Sequence, residues 1–459
     1  MEMDASSHSS NWDVAIEVEE DEFVPLTLQA KEMARWNRTC ICRVPEWVKR
    51  VTSIDAYRPW MVSLGPFHHG HKDLVPMEEH KRRAVQHIVK RSGKRLEDFI
   101  SAIEEVVNEL RQAYGHLDNK WCGEKGNDRF IKMMVRDGCF LLEFIRTDQL
   151  RTAEEVDDDY AENDPIFSDL GFYYVWPRLR TDIITMENQL PLLVLQRLLH
   201  VQHGQPKTAK EVNEMVMNLL DCEVVEGMNK LAFHPLDIFH RSFKLCAPPR
   251  RDNQVGECFK FCASLRRDKQ VGERDEVDSV MPSAVELREA GIRFERCSKN
   301  VREVSFTNGV LYMPRVIVDD ETDKMYLNMM AFERLYHAAG NDVTDYIFFM
   351  DNIINTGKDV ELLRSDEVME QTLGSDEEVA KLFNTMNKGA LMGPSSKLHD
   401  VHREVKAYCK KPWKRLRASF VHTYLSTPWV FISLVAAFIL LGFTILQTVY
   451  TVLPFYTKS

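Results

Sequence analysis

Between Ala418 and Thr457 the chain carries no Asp, Glu, Lys or Arg, a run of forty residues without formal charge. That is too long for an ordinary core helix of a water-soluble domain. The sequence also lacks a phosphate-binding loop, a dinucleotide glycine fingerprint, a nucleophile elbow and a kinase signature set, so no common enzyme class can be read from motifs. Net positive charge is missing too: at -11 the chain opposes nucleic-acid binding through a general phosphate field. The ten cysteines form only two close pairs, Cys40 with Cys42 and Cys258 with Cys262. Neither completes a four-ligand zinc set, and no cofactor is expected. An apolar leader, a myristoylation start and a prenylation box are all lacking at the ends of this sequence.

What the uncharged stretch does contain is an almost wholly apolar run, Val430 to Tyr450. As a helix it would be ~32 Å long, matching a hydrocarbon core of ~30 Å. The expectation is one C-terminal transmembrane helix over 430–450, with a short tail over 451–459. Trp429 and Tyr424 flank one end, Tyr450, Phe455 and Tyr456 the other, as interfacial rings would. Lys406, Lys410, Lys411, Lys414, Arg415 and Arg417 precede the run and Lys458 alone follows it. That bias predicts a cytosolic body and an outer or luminal C-terminus, in plasma membrane or endomembrane, with the lipid bilayer as a partner. Ser433 and Ala437 form one small-residue pair that Gly442 does not extend, so self-association through this helix is expected to be weak.

The remaining body reads as mainly α with a small antiparallel β patch. Residues 1–37 form an acidic, Ser-rich arm containing Glu17, Glu19, Glu20, Asp21 and Glu22. A helical part is expected over 38–246. It includes helices at Pro76–Ser92 and Lys94–Tyr114 broken at Gly93, the second with a core stripe of Leu96, Ile100, Ile103, Val107, Leu110 and Tyr114. A helix at Ile131–Ile145 follows, then an acidic loop at Arg151–Pro165 too polar to bury. Pro191 predicts a helix junction, and Glu211–Cys222 an amphipathic helix. A polar loop over 247–281 holds a short tandem duplication: Arg250–Glu257 recurs as Arg266–Glu273 with one change in eight positions. Such duplications mark exposed loops. The part over 282–418 is read as α+β. It starts with a short helix at Ser283–Ala290, continues with strands at Arg293–Glu295, Glu303–Thr307 and Val310–Met313, and turns a hairpin at Asn308–Gly309. Helices at Lys324–Ala339, Val343–Ile354 and Asp376–Met386 follow, and a basic helix from Ser396 closes it.

The densest polar cluster is Phe67-His68-His69-Gly70-His71-Lys72-Asp73, followed by Met77-Glu78-Glu79-His80. His68, His69, Asp73, Glu78 and His80 could bind a divalent metal or act as acid and base. The Gly and Pro residues around them instead suggest a tight loop, with Pro76 opening a helix whose first turn holds Glu78 and Glu79. Asp182, Glu187, Asn188 and Gln189 precede Pro191, where they could cap backbone donors or couple two helices through a buried network. Glu143 is either a buried acid or a rim residue.

Six blocks carry a resemblance. Cys42-Arg43-Val44-Pro45, Ser63-Leu64-Gly65-Pro66-Phe67-His68-His69-Gly70 and Pro76-Met77-Glu78-Glu79-His80-Lys81 lead the series. Arg136-Asp137-Gly138-Cys139-Phe140, Met186-Glu187-Asn188-Gln189-Leu190-Pro191 and Pro282-Ser283-Ala284-Val285-Glu286-Leu287 complete it. In order and spacing they closely resemble the plant domain-of-unknown-function 247 family, UPF0481-type membrane proteins, over roughly residues 38 to 455. The resemblance implies a plant origin and a membrane address, with no established enzymatic activity and no agreed catalytic residues. Some grass members are linked to self-incompatibility, which suggests recognition or signalling. Two functions are therefore expected to compete: a tethered, non-enzymatic interaction module docking an unidentified protein partner, and a membrane-anchored metal-dependent hydrolase built on the His68–His80 cluster.

Overall fold

The computed structural model describes residues 38–155, 159–222, 228–244, 281–297, 304–388, 396–411 and 428–456. The acidic arm, the duplicated loop up to residue 280 and the cations Lys414, Arg415 and Arg417 lie outside them.

The first half is a helical layer. α1 (Glu46–Val51) is followed by an irregular segment that carries two short 3-10 turns, and then by α2 (Met77–Ser92), α3 (Leu96–Glu104), α4 (Val107–Gln112) and α5 (Gly123–Thr152). Gly93 ends α2 with φ 64°, a left-handed cap that β-carbon sterics reserve chiefly for glycine. The single helix expected from Lys94 to Tyr114 is two: the chain breaks at Glu105 and Val106. The stripe also shifts, because Phe99 is buried while Leu96 is 40% exposed. α5 is the central beam, thirty residues long, and α2 and α3 pack along it with Phe130, Phe140 and Phe144 all buried.

The acidic loop departs from expectation. Tyr160 and Asp164 are buried, since Arg83 pairs with Asp164 and Arg91 with Asp159 (2.6 Å). Salt bridges to α2 replace the water that would otherwise solvate those carboxylates. Glu143 is a buried acid, fully covered and held by Arg91 and Arg146.

α6 (Asp169–Tyr174) and α7 (Trp176–Ile183) lead to the junction, where Pro191 caps α8 (Leu192–His203) in an extended conformation. α9 (Ala209–Leu219) opens on a Thr208/Glu211 capping box, and α10 (Pro235–Lys244) follows. α11 (Ala284–Glu289) repeats that device with Ser283 and Glu286. β1 (Arg293–Arg296), β2 (Ser305–Thr307) and β3 (Val310–Met313) form a sheet ordered β1-β3-β2. β2 and β3 are antiparallel across Asn308 and Gly309, whose φ values of 53° and 84° suit a two-residue hairpin turn. β1 runs parallel to β3, so the patch is mixed.

β4 (Val316–Val318) makes a second, parallel pair with β5 (Met369–Gln371). Between them lie α12 (Thr322–Leu335), α13 (Asp342–Ile353) and α14 (Gly357–Ser365). α15 (Asp376–Met386) and α16 (Lys397–Cys409) complete this part. α16 is not a free stalk: Val405 is buried and Tyr408 lies against Phe306 of β2 (5.4 Å between rings).

α17 (Pro428–Tyr456) holds the apolar run, with its described large side chains exposed. The expectation of one C-terminal transmembrane helix, and of a single-pass membrane location, is corrected here: among the described residues no helix is long and apolar enough to cross a membrane. Trp429, Val430, Gly442 and Tyr450 all lie on α17, and the side chains of Trp429, Val430 and Tyr450 are outside the described ones.

Candidate functional site

The motif blocks meet around one irregular segment, residues 60–68, which threads between α5, α7 and α12 without joining a sheet. Its backbone must still find partners, and buried side chains supply them. Asp182, at the end of α7, accepts three successive N–H groups: Trp60 (2.7 Å), Met61 (2.7 Å) and Val62 (2.9 Å). Asn188 accepts from Leu64 N–H (2.7 Å) and donates to Val62 C=O (2.9 Å), acting as a surrogate strand partner. Asp137 of α5 accepts from Gly65 N–H (2.8 Å). Gly65 has φ +74°, and a Cβ there would stand 2.6 Å from the Gln189 carbonyl oxygen and 2.8 Å from Tyr114 Oη. No larger residue fits.

Two buried lysines balance these acids. Lys81 Nζ donates to Asp137 (2.7 Å), Glu78 (2.5 Å) and Ser63 C=O (2.5 Å), while Lys324 Nζ of α12 donates to Asp182 (3.2 Å). Burial raises the Asp182 carboxyl against the opposing pull of Lys324 and the three N–H groups, and it lowers Lys324 against that of Asp182. Burial also raises Asp137, against the pull of Lys81. Asn328 adds a third element, accepting from Met186 N–H (2.8 Å) and donating to Ala56 C=O (2.7 Å).

Glu187 is buried and joins the chain start to the same knot. It accepts from Val44 N–H (2.6 Å) and pairs with Lys49 (2.9 Å), and His68 Nε2 lies 3.6 Å away. Burial pushes its carboxyl up, but His68, Lys49 and the Val44 N–H outweigh that and hold it below the usual range. Gln189 donates to Ile183 and Thr185 carbonyls (2.7 Å each) and accepts from Leu236 N–H (3.0 Å). Pro45 caps α1, and Arg43 covers the Phe67 ring at 4.5 Å. Cys42 meets the backbone at Gly115, and Gly138 lets α5 approach α8, where a Cβ would come 2.5 Å from Leu198. Pro66 follows Gly65 into the core, Gly70 turns the chain at φ +84°, and Met77 starts α2 with its side chain buried.

The five residues proposed for chemistry do not converge. His68 faces Glu187, His69 packs on Trp121 (5.5 Å between rings), and Asp73 stands exposed beside His71 (3.5 Å). Glu78 is held by Lys81, and His80 Nδ1 faces Arg83 (3.0 Å). Burial lowers both His69 and His80. Among the described residues no group of three or more His, Cys, Asp or Glu side chains is placed to hold a metal ion. What the arrangement does chemically is pair the buried backbone of residues 60–65 with Asp137, Asp182 and Asn188, while His68 Nε2 and His69 Nδ1 are buried without a hydrogen bond among the described residues. Sequence reasoning singled out Asp182, Glu187, Asn188 and Gln189 as cap or network residues. It missed Lys81 with Asp137 as a buried pair, and Lys324 and Asn328 altogether, because nothing in local spacing reveals a partner 56 or 142 residues away.

Comparison with known proteins agrees with the motif blocks. Residues 41–443 match the DUF247 family model, described as a plant protein of unknown function. The chain is similar to the UPF0481 protein At3g47200 of Arabidopsis thaliana, at 29% identity over 92% of this chain and 88% of that one. It is also similar to the putative UPF0481 protein At3g02645 of the same plant, at 22% identity over 86% of each. No solved structure matches.

Proposed function

Since this chain belongs to the DUF247 family of plant proteins of unknown function, we propose that it is a non-enzymatic recognition module that works by docking a protein partner. One observation carries the reading: Asp137, Asp182, Glu187, Asn188 and Gln189 face inward and are used in internal bonds, while three large side chains of α6 face outward. Tyr173 is 68% and Tyr174 74% exposed on α6, with Leu170 at 59% beside them. Exposed aromatic rings are enriched where partners bind, and isolated catalysis needs the reverse, polar groups converging on an open site. The test is proximity labelling in plant cells with the intact chain and a Tyr173→Ser/Tyr174→Ser variant. The expected outcome is loss of specific neighbours at unchanged melting temperature. An identical set of neighbours, or stoichiometric metal with turnover that disappears in a folded His80→Ala variant, overturns the reading.

A further inference from the structure

A second exposed surface has a composition that specifies its ligand more closely. Residues 47–60 run antiparallel along α12. Trp47 lies under Arg334 (5.3 Å to the ring centre), Ala56 is bonded to Asn328, and Trp60 lies under Lys324 (4.2 Å). Arg334 and Lys324 stand ten residues apart on one helix, which separates the two indoles by roughly 15 Å. Along this strip Trp47 is 58%, Val51 41%, Ile54 49% and Trp60 42% exposed. Arg50, Arg58 and Arg334 are exposed among them, and Arg178 approaches Trp60 from α7 (5.8 Å). Asp55 is the acid on the segment itself; Glu46 precedes it, paired with Lys49 (3.2 Å), and Glu321 and Asp323 act on Lys324 at the Trp60 end. Neither Arg50 nor Arg58 has a carboxylate partner among the described residues.

The strip is thus an aromatic and guanidinium surface on a chain of net charge -11. Trp and Arg are the residue types that dominate binding energy at interfaces. Guanidinium forks bind carboxylates in a planar, two-point geometry. A length of roughly 15 Å spans four or five residues of extended peptide.

Resting on the recognition-module reading, we propose that this strip binds an acidic peptide segment of a partner protein, with its carboxylates on Arg50 and Arg58 and its bulky apolar side chains on Trp47 and Trp60. The probe is a fluorescein-labelled peptide alternating Glu with Leu and Phe, titrated by anisotropy into the full chain. A companion peptide carries Ser in place of Leu and Phe. Saturable binding is expected, weakening with salt. It should fall at least tenfold for the companion peptide, for Arg50→Glu/Arg58→Glu and for Trp47→Ala/Trp60→Ala. These side chains are exposed, so the variants should keep the wild-type melting temperature, which is measured alongside. No binding, equal binding by folded variants, or full displacement by a single-stranded RNA overturns the proposal. So does a dimer in sedimentation that Trp47→Ala dissolves, because the strip would then be a self-contact. Failure here together with loss of neighbours in the Tyr173/Tyr174 variant would leave the module reading standing and remove only this peptide.

Discussion

At the scale of single residues, Asp182 concentrates the most structure. One carboxylate, fully covered, holds three consecutive amides and a buried ammonium. Asp182→Ala should cost about 3–5 kcal/mol, because it leaves Lys324 without its charge partner and three N–H groups without an acceptor. Adding Lys324→Met should recover part of that loss, and the coupling is read from a double-mutant cycle in urea. Strict additivity of the two changes would show that the ion pair is not the source. These residues also mark how far the sequence could be read. Asp182 and the Glu187-Asn188-Gln189 run stand out as polar groups next to a Pro junction. The identity of what they bind is fixed by segments far away in the chain, which no window of the sequence contains.

Helices and hairpins obey local rules, so they were more readable. Gly93, Pro191 and Asn308-Gly309 act within a few residues of themselves, and the chain bends or starts at each. The acidic loop at 151–165 departs from its expected solvation because Asp159 and Asp164 are matched by arginines of α2 and α5 rather than by water. α13 shows the same dependence on a distant group. Its first turn is capped by Glu333 of α12, which accepts from the N–H groups of Val343 and Thr344 (2.9 Å each), from the Thr344 hydroxyl (2.7 Å) and from His240 Nε2 (2.8 Å). Glu333→Leu should therefore cost about 2–4 kcal/mol. Hydrogen exchange should show the α13 amides losing protection first. Uniform loss over the whole body would mean that Glu333 is not acting as a cap.

For the molecule as a whole, acidity is the relevant stress. His234 is fully buried, with Nδ1 accepting from Asp237 N–H (3.1 Å) and Nε2 facing the Cys40 carbonyl (3.3 Å), an arrangement that assigns the neutral ring protonated on Nε2. Burial lowers it to about 4, and His402 likewise to about 4. A base depressed in the fold leaves the unfolded chain binding more protons between the two values, so stability rises with pH in that window. The contribution is complete above the ordinary value of 6.5 and fades as pH falls toward about 4. For His234 it amounts to about 3 kcal/mol at most. Urea midpoints of the wild type should fall between pH 7 and pH 4.5, and His234→Phe should flatten that slope while lowering stability at neutral pH. Parallel curves for the two proteins would contradict this assignment.

The side-chain bonds that hold residues 60–65 also govern when this part of the chain can form. Trp60, Met61, Val62 and Leu64 wait for acceptors 120 to 124 residues later, and Ala56 for a donor 272 residues later. Contacts so distant in sequence are slow to close. During synthesis the ribosome must therefore deliver Asp182, Glu187 and Asn188 before the opening motifs can settle, and α12 before Ala56 can, so the first blocks to be translated wait on later ones. Until then their apolar residues stay open to chaperones and proteases.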